Sequence, residues 1–154
     1  MKPSLWTLFF LILVFSCKEK IPDPSKTDLL TAKRWKWVGG SISPAYDIFG
    51  IGVLVGDDYY TRLPECWRDD IWIFSANYKF THDEGASKCN VADPQSYIKG
   101  SWKFEMEENS ITITKERGGI MVWDIKELTA TSLKITETLK EDGQTYSINY
   151  SFGH

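Results

Sequence analysis

The stretch Ile71-Trp72-Ile73-Phe74-Ser75-Ala76-Asn77-Tyr78-Lys79-Phe80-Thr81 decides the fold. Two short runs of β-branched and aromatic residues flank Ser75-Ala76-Asn77, and asparagine at a tight turn between such runs is a hairpin signal. The pattern recurs outward in both directions. Upstream, Trp35 and Trp37 alternate with Arg34 and Lys36, a period of two, and Gly39-Gly40 then permits a bulge or a sharp bend. Downstream, Trp102, Phe104 and Met106 share one face, and Ile111-Thr112-Ile113-Thr114 pairs with them across Glu107-Glu108-Asn109-Ser110. Further runs are Met121-Val122-Trp123-Asp124-Ile125, Leu133-Lys134-Ile135-Thr136 and Tyr146 to Phe152, with Asp142-Gly143 marking the last turn. Short strands joined by tight turns about every ten residues indicate an all-β sandwich or barrel rather than βαβ units. About eight strands are enough to close, and closure removes edges that would otherwise template aggregation. The predicted fold is an antiparallel up-and-down β-barrel of about eight strands with one or two short helices.

Alternation also assigns faces. Trp102, Phe104 and Met106 are expected to point inward with Leu133, Ile135, Tyr146 and Ile148, leaving Lys103, Glu105, Lys134 and Ser147 on the wet face. A one-residue slip would bury those charges at a cost of several kcal/mol for each unpaired one, so the register is well specified. Asp28 to Lys33 predicts one or two helical turns capped by Thr27 or Ser25. Residues 43–64 admit two readings. One is a long first connection folded over a barrel mouth, with a short helix between an Asp57-Asp58 cap and Pro64; the other is an ordinary second strand plus a loop.

The N-terminus carries a different message. Lys2 precedes an apolar run from Leu8 to Phe15, and Ser16-Cys17 closes it before Lys18-Glu19-Lys20 and the proline-rich Ile21-Pro22-Asp23-Pro24-Ser25. A basic start, an apolar core and a small residue before the cut define a secretory signal, and the run is far shorter than the roughly 20 residues a membrane-spanning helix needs. With cysteine at the cut, the segment resembles a bacterial lipoprotein signal of the looser kind seen in Bacteroidota. That resemblance implies acylation of Cys17 and anchoring in the cell envelope, at the outer membrane, on either the periplasmic or the outer face. The chain divides into a signal peptide (1–16), a tether (17–27) and one domain (28–154).

Composition bounds the partners. The 154 residues are 42% hydrophobic and 14% aromatic with seven tryptophans, enough for a sizeable core. The net charge is −3, and loss of the one positive charge of Lys2 makes the mature chain more acidic still. That sign argues against nucleic acid, which needs clustered Lys and Arg, and against electrostatic docking on anionic lipid. With Cys17 acylated, Cys66 and Cys89 are left as a pair; in an exported protein a disulfide is expected, and a free or metal-bound pair is the alternative.

Cys66-Trp67-Arg68-Asp69-Asp70-Ile71-Trp72-Ile73-Phe74, then Asn77-Tyr78-Lys79-Phe80, Gly85, Lys88-Cys89 and Gly100-Ser101-Trp102, resemble the lipocalin-like domains of many Bacteroidota lipoproteins, with Trp35 opening the first strand. The resemblance covers roughly residues 28–152. It implies a lipocalin-like barrel and an envelope location, and it implies no reaction.

Three constellations carry alternatives. Asp69-Asp70, near Glu65 and Asp57-Asp58, offers the clustered carboxylates calcium prefers, or a strand start whose carboxylates accept backbone N–H bonds; alternation turns Asp70 inward. His82-Asp83-Glu84 offers a histidine–carboxylate base without a nucleophile in any known motif, or a solvent-exposed histidine at a turn end. No phosphate loop, cofactor motif or nucleophile elbow occurs, so no enzyme, metal or cofactor is predicted. The aromatics Trp37, Trp72, Trp102, Phe104, Trp123 and Tyr146 either line a pocket for a small hydrophobic or aromatic ligand or simply fill the barrel, with the filled core favoured. An open barrel would make the protein a non-enzymatic binding module, with Trp102 and Trp123 stacking on the ligand. A filled one would make it a structural subunit or inhibitor in an envelope protein complex.

Overall fold

In the computed structural model, which describes residues 22–154, the alternating strands find their two faces by closing one sheet on itself. The expected signal peptide, Cys17 and residues 18–21 of the expected tether lie outside the described residues. The elements run α1 (Lys26–Thr31), β1 (Trp35–Ser43), α2 (Tyr59–Arg62), α3 (Glu65–Arg68), β2 (Ile71–Phe74), β3 (Lys79–Asp83), β4 (Ser96–Glu105), β5 (Ser110–Lys115), β6 (Ile120–Leu128), β7 (Leu133–Glu141) and β8 (Gln144–Gly153). The eight strands pair antiparallel in sequence order, and β8 returns to β1. The barrel is closed, as the expected fold has it. Among the described residues three short helices stand where one or two were expected. The unexpected one is α3, which begins after Pro64, a residue that pre-sets a helix start.

Each end of the barrel has its own character. At the closed end, α1 lies across the bottom. Ser25 caps it in a reciprocal capping box with Asp28, and the helix takes in Lys26 and Thr27, which the sequence analysis placed in the tether. Its Leu30 is fully buried, and the Leu30 carbonyl accepts a hydrogen bond from the Trp35 indole at 2.9 Å. Above it Trp102, Ile111, Ile113, Leu133, Ile135 and Phe152 fill the bore. Gly100 is required for close strand approach: a Cβ there would collide with the Thr114 carbonyl on β5.

At the opposite end lie the connection from β1 to β2 (44–70), the β3–β4 loop (84–95) and the tips at 116–119 and 142–143. The connection reading of residues 43–64 is the one found. Tyr46 and Val55 form an isolated bridge, and α2 follows on the Asp58 side of it. β1 pairs with β2 only at Trp35↔Trp72 and Lys36↔Ile71. The upper part of β1 is instead covered by α2, whose Tyr60 hydroxyl donates to the Trp37 carbonyl at 3.2 Å.

The inward assignments hold for Trp102, Leu133, Ile135 and Ile148, all buried, with Phe104 and Tyr146 half-buried. Met106 is a correction: it is 74% exposed, because β4 ends at Glu105 and residues 106–108 take left-handed backbone in the turn, which breaks the alternation. The bulge expected at Gly39-Gly40 falls one step earlier, between Trp37 and Gly39, leaving Val38 unpaired and exposed.

Candidate functional site

Inward-facing residues at the open end do not meet across the barrel. They leave a cavity of about 580 Å³ between β1, α2, β2, β3, β4, β7 and β8. Its walls are aromatic: Trp37, Tyr59, Trp67, Trp72, Tyr97 and Tyr150. Trp72 forms the transition to the filled part, with its ring 4.8 Å from Trp123 and 4.9 Å from Phe152. Trp37 packs against Tyr150 at 5.2 Å and Tyr59 at 5.5 Å. A second hollow of about 480 Å³ is lined by residues of β4, β5 and the loops at their upper ends, and shares Pro94, Tyr97, Ile98 and Arg117 with the first. It takes no side chain from β1, β2, β7 or β8, so the barrel-mouth cavity is the site that the fold builds.

The polar groups of the cavity fall into two sets. On one side Asp70, 3% exposed, sits at the start of β2 and His82, 8% exposed, on β3. His82 Nε2 lies 3.0 Å from Asp70 Oδ2, and the Tyr97 hydroxyl lies 2.6 Å from the same oxygen and 2.7 Å from Nε2. Burial, then the hydrogen bond to Asp70, push the Tyr97 hydroxyl far above the ordinary tyrosine value, so it stays a donor. Glu84, 7% exposed, lines the cavity on the same side. On the other side Glu137 of β7 accepts from the Trp123 indole at 3.3 Å, with the Tyr150 hydroxyl beside it. Burial raises the Glu137 carboxyl, against the lowering effect of those two donors. Tyr59 is pushed up to about 12 by burial and by the charge of Glu137.

Asp70 faces inward as expected, while the neighbouring Asp69 turns outward and accepts from the backbone N–H groups of Ala86 and Ser87 at 3.0 and 2.8 Å. That is the backbone-accepting role rather than the calcium one. His82 is a correction: the expected solvent histidine is buried, because β3 runs on to Asp83 and the period of two carries residue 82 to the face of Phe80. Cys66 and Cys89 form a disulfide with Cα atoms 5.2 Å apart, tying α3 to the β3–β4 loop at the rim of the cavity.

Of the six aromatic candidates, Trp37 and Trp72 line the cavity. The other four do not. Trp102 lies at the closed end, donating to the Ser75 carbonyl at 3.1 Å, with Phe104 packed edge-on against it. Trp123 is fully buried beneath Trp72, and Tyr146 stacks with Tyr46 at 4.4 Å near the β7–β8 tip. Strand length explains three of the four, since the inward rows of β4 and β6 deliver Trp102, Phe104 and Trp123 below the cavity, while Tyr146 lies above it near the β7–β8 tip. The favoured filled core is thus correct for the lower barrel and wrong for the mouth.

Residues 33–135 match the profile described as a lipocalin-like domain. The chain belongs to the lipocalin-like domain family. The match takes in seven strands from β1 into β7 and includes the disulfide and the Asp70–His82–Tyr97 cluster. Among solved structures, the lipocalin-like domain is similar to a bovine odorant-binding protein in complex with a selenium-containing odorant, at 13% identity and a TM-score of 0.41, over 88% of this chain and 76% of that one. No curated protein matches the chain.

Tyr59, Tyr97, Glu137 and Tyr150 also line the cavity, and none of them was a candidate from the sequence. Glu137 and Tyr150 were within reach, because Leu133-Ile135-Glu137 and Ile148-Tyr150-Phe152 continue the inward rows at period two. Tyr97 was not. Asp83 pairs with Ser96 and His82 with Ile98, so Tyr97 is the extra residue of a bulge that re-aims its side chain.

Proposed function

We propose that the protein is a non-enzymatic carrier that holds a small ligand with an aromatic or apolar body in the barrel mouth, and that acylated Cys17 tethers it in the cell envelope. The carrying observation is the cavity of about 580 Å³ walled by Trp37, Trp72, Tyr59 and Tyr150, within the range typical of small-molecule sites. An interior able to stack a ring yet roofed by the 44–70 connection suits reversible capture. Family membership supports the small-ligand reading. α1, the first described element of the chain, lies at the closed end, so a tether leaving from there would turn the mouth away from the membrane that holds it.

The experiment is titration of the purified domain with phenylnaphthylamine, a neutral aromatic fluorophore. Saturable binding that Trp37→Ala weakens by tenfold or more, with the folded spectrum unchanged, supports the carrier. Absence of saturable binding by the wild-type domain refutes it.

A further inference from the structure

The two hollows at the open end carry opposite charge. Asp70, Glu84, Asp93 and Glu137 line the mouth cavity, against the guanidinium of Arg117. The adjoining hollow shares Pro94, Tyr97, Ile98 and Arg117 with it, and is lined by Lys99, Lys115 and Arg117 against the one carboxylate of Glu116. That balance is the reverse of the chain's own, whose net charge is −3.

Strand faces sort these charges. Lys99 lies on the exposed outer row of β4 with Ser101 and Lys103, and its carbonyl accepts from the Glu116 backbone N–H at 2.8 Å. Lys99 and Glu116 therefore stand opposite each other across the ladder, and their charges offset. Lys115 is different. It pairs with Gly100 at the end of β5 and continues the inward row of Ile111 and Ile113. Its side chain folds over the β5–β6 tip, where a Cβ on Gly119 would lie 3.1 Å from Lys115 Cε and 3.5 Å from Nζ. Its positive charge also reaches the Glu137 carboxyl, opposing the effect of burial there. Arg117 follows in the tip, exposed, and lines both hollows. Neither Lys115 nor Arg117 has an ion pair among the described residues. Two solvent-reachable cations thus stand where the mouth opens into the hollow.

This separation of sign defines where an anionic group can sit. The mouth carboxylates repel it from the interior, and Lys115 with Arg117 attract it to the edge. Their two charges match those of a phosphate monoester near neutral pH, and the guanidinium fork fits a pair of phosphate oxygens. We propose that the ligand of the mouth is a phosphate monoester, with its apolar or aromatic body packed toward Trp37 and Tyr150 and its phosphate held by Lys115 and Arg117 in the adjoining hollow. This deepens the carrier reading and rests on it. A cavity of about 580 Å³ takes a body of ring size rather than the two long chains of a membrane phospholipid, so the ligand is a small molecule.

The test uses three probes on one ring system, substituted at the same position: naphthyl phosphate, naphthoate and naphthol, respectively dianionic, anionic and neutral. Calorimetric titration of the whole domain near neutral pH is expected to rank them in that order, with the phosphate about tenfold or more above naphthol. Arg117→Ala and Lys115→Met are each expected to cut the preference of phosphate over naphthol by about threefold or more while leaving naphthol binding unchanged. Arg117 is exposed in a turn, so its variant keeps the fold even where Lys115→Met does not. Lys99→Ala removes an equal charge from the outer face and is expected to leave the preference intact. Naphthoate binding as tightly as the phosphate, equal affinity for phosphate and naphthol, a preference unchanged in Arg117→Ala, or one lowered as much by Lys99→Ala overturns the phosphate assignment while the carrier stands. So does failure of all three probes where phenylnaphthylamine binds. Failure of all three together with phenylnaphthylamine overturns the carrier itself.

Discussion

Trp102→Ala separates the two roles that an inward tryptophan can have in a barrel. The residue is 2% exposed, with its ring between Phe74, Tyr78 and Phe104 at centroid distances of 5.8, 5.3 and 5.3 Å. Its indole donates to the Ser75 carbonyl and its backbone N–H to the Tyr78 carbonyl, so it also staples the β2–β3 turn. Truncating a buried tryptophan to alanine costs about 3–5 kcal/mol. With a urea slope of about 1.5 kcal/mol/M for a domain of this size, a loss of about 4 kcal/mol lowers the unfolding midpoint by about 2–3 M. Trp102→Phe keeps most of the buried ring and loses the indole donor, so it is expected to cost about 1–2 kcal/mol. The assay is urea denaturation followed by far-ultraviolet circular dichroism, with phenylnaphthylamine binding measured below the transition. Trp102 does not line the mouth, so the residual folded fraction of the alanine variant should bind the probe with wild-type affinity. A midpoint shift below about 0.5 M, or loss of binding with the fold intact, would show that Trp102 contacts the ligand and that the closed end is not the packed floor described above.

The disulfide closes a loop with a sequence separation of 23, and the chain-entropy relation gives about 3.4 kcal/mol for that size; the Cys66→Ser, Cys89→Ser double variant should lose about that much in urea unfolding and bind the probe more weakly, because the rim loses its tie. Glu137 is raised by burial, so the folded state holds its proton more tightly than the unfolded chain does. Stability then falls as pH rises from the ordinary carboxylate range through the raised value, and Glu137→Gln should gain on the wild type as pH rises above that range, measured as the difference in urea midpoint; a difference that stays constant with pH contradicts the burial argument. Cys17→Ala should move the protein from the membrane to the soluble fraction or block its processing, whereas unchanged partitioning with unchanged mature mass rules out the lipid anchor.

The barrel was legible because most of its strands obey one rule. β7 and β8 alternate without interruption from Leu133 to Glu141 and from Gln144 to Gly153, and their nine paired residues run in unbroken register. The hairpin at Ser75-Ala76-Asn77 was legible for the same reason, and the cysteine pair because only two thiols remain once Cys17 is assigned to lipid. The rule gave out where the backbone departs from it. Met106 sits at the start of a left-handed turn rather than on a longer strand, and Tyr97 sits on a bulge. Neither departure leaves a mark in a hydrophobic pattern, because each depends on how the partner strand is cut.

The mouth was illegible for a different reason, which bears on how such a site arises. A period of two tells which way a side chain points and not how far along the bore it lies, and the bore of this barrel changes from packed to open along its length. Trp72 and Trp123 are equally inward and 4.8 Å apart, yet one lines the cavity and the other is sealed beneath it. What distinguishes them is the upper part of β1. It pairs with β2 over two residues only, and its remaining length is covered by α2 and the 44–70 connection, which stand off from the axis and leave the space that Trp37, Tyr59 and Tyr150 surround. The polar residues then settle where that space is. Asp70, His82 and Glu84 near the ends of β2 and β3, and Glu137 beyond Ile135 on β7, are inward positions that an entirely filled barrel would have given to apolar side chains. Carboxylates on the inward row, rather than the tryptophans that accompany them, were therefore the feature of the sequence that distinguished a barrel with a site from a barrel with a core.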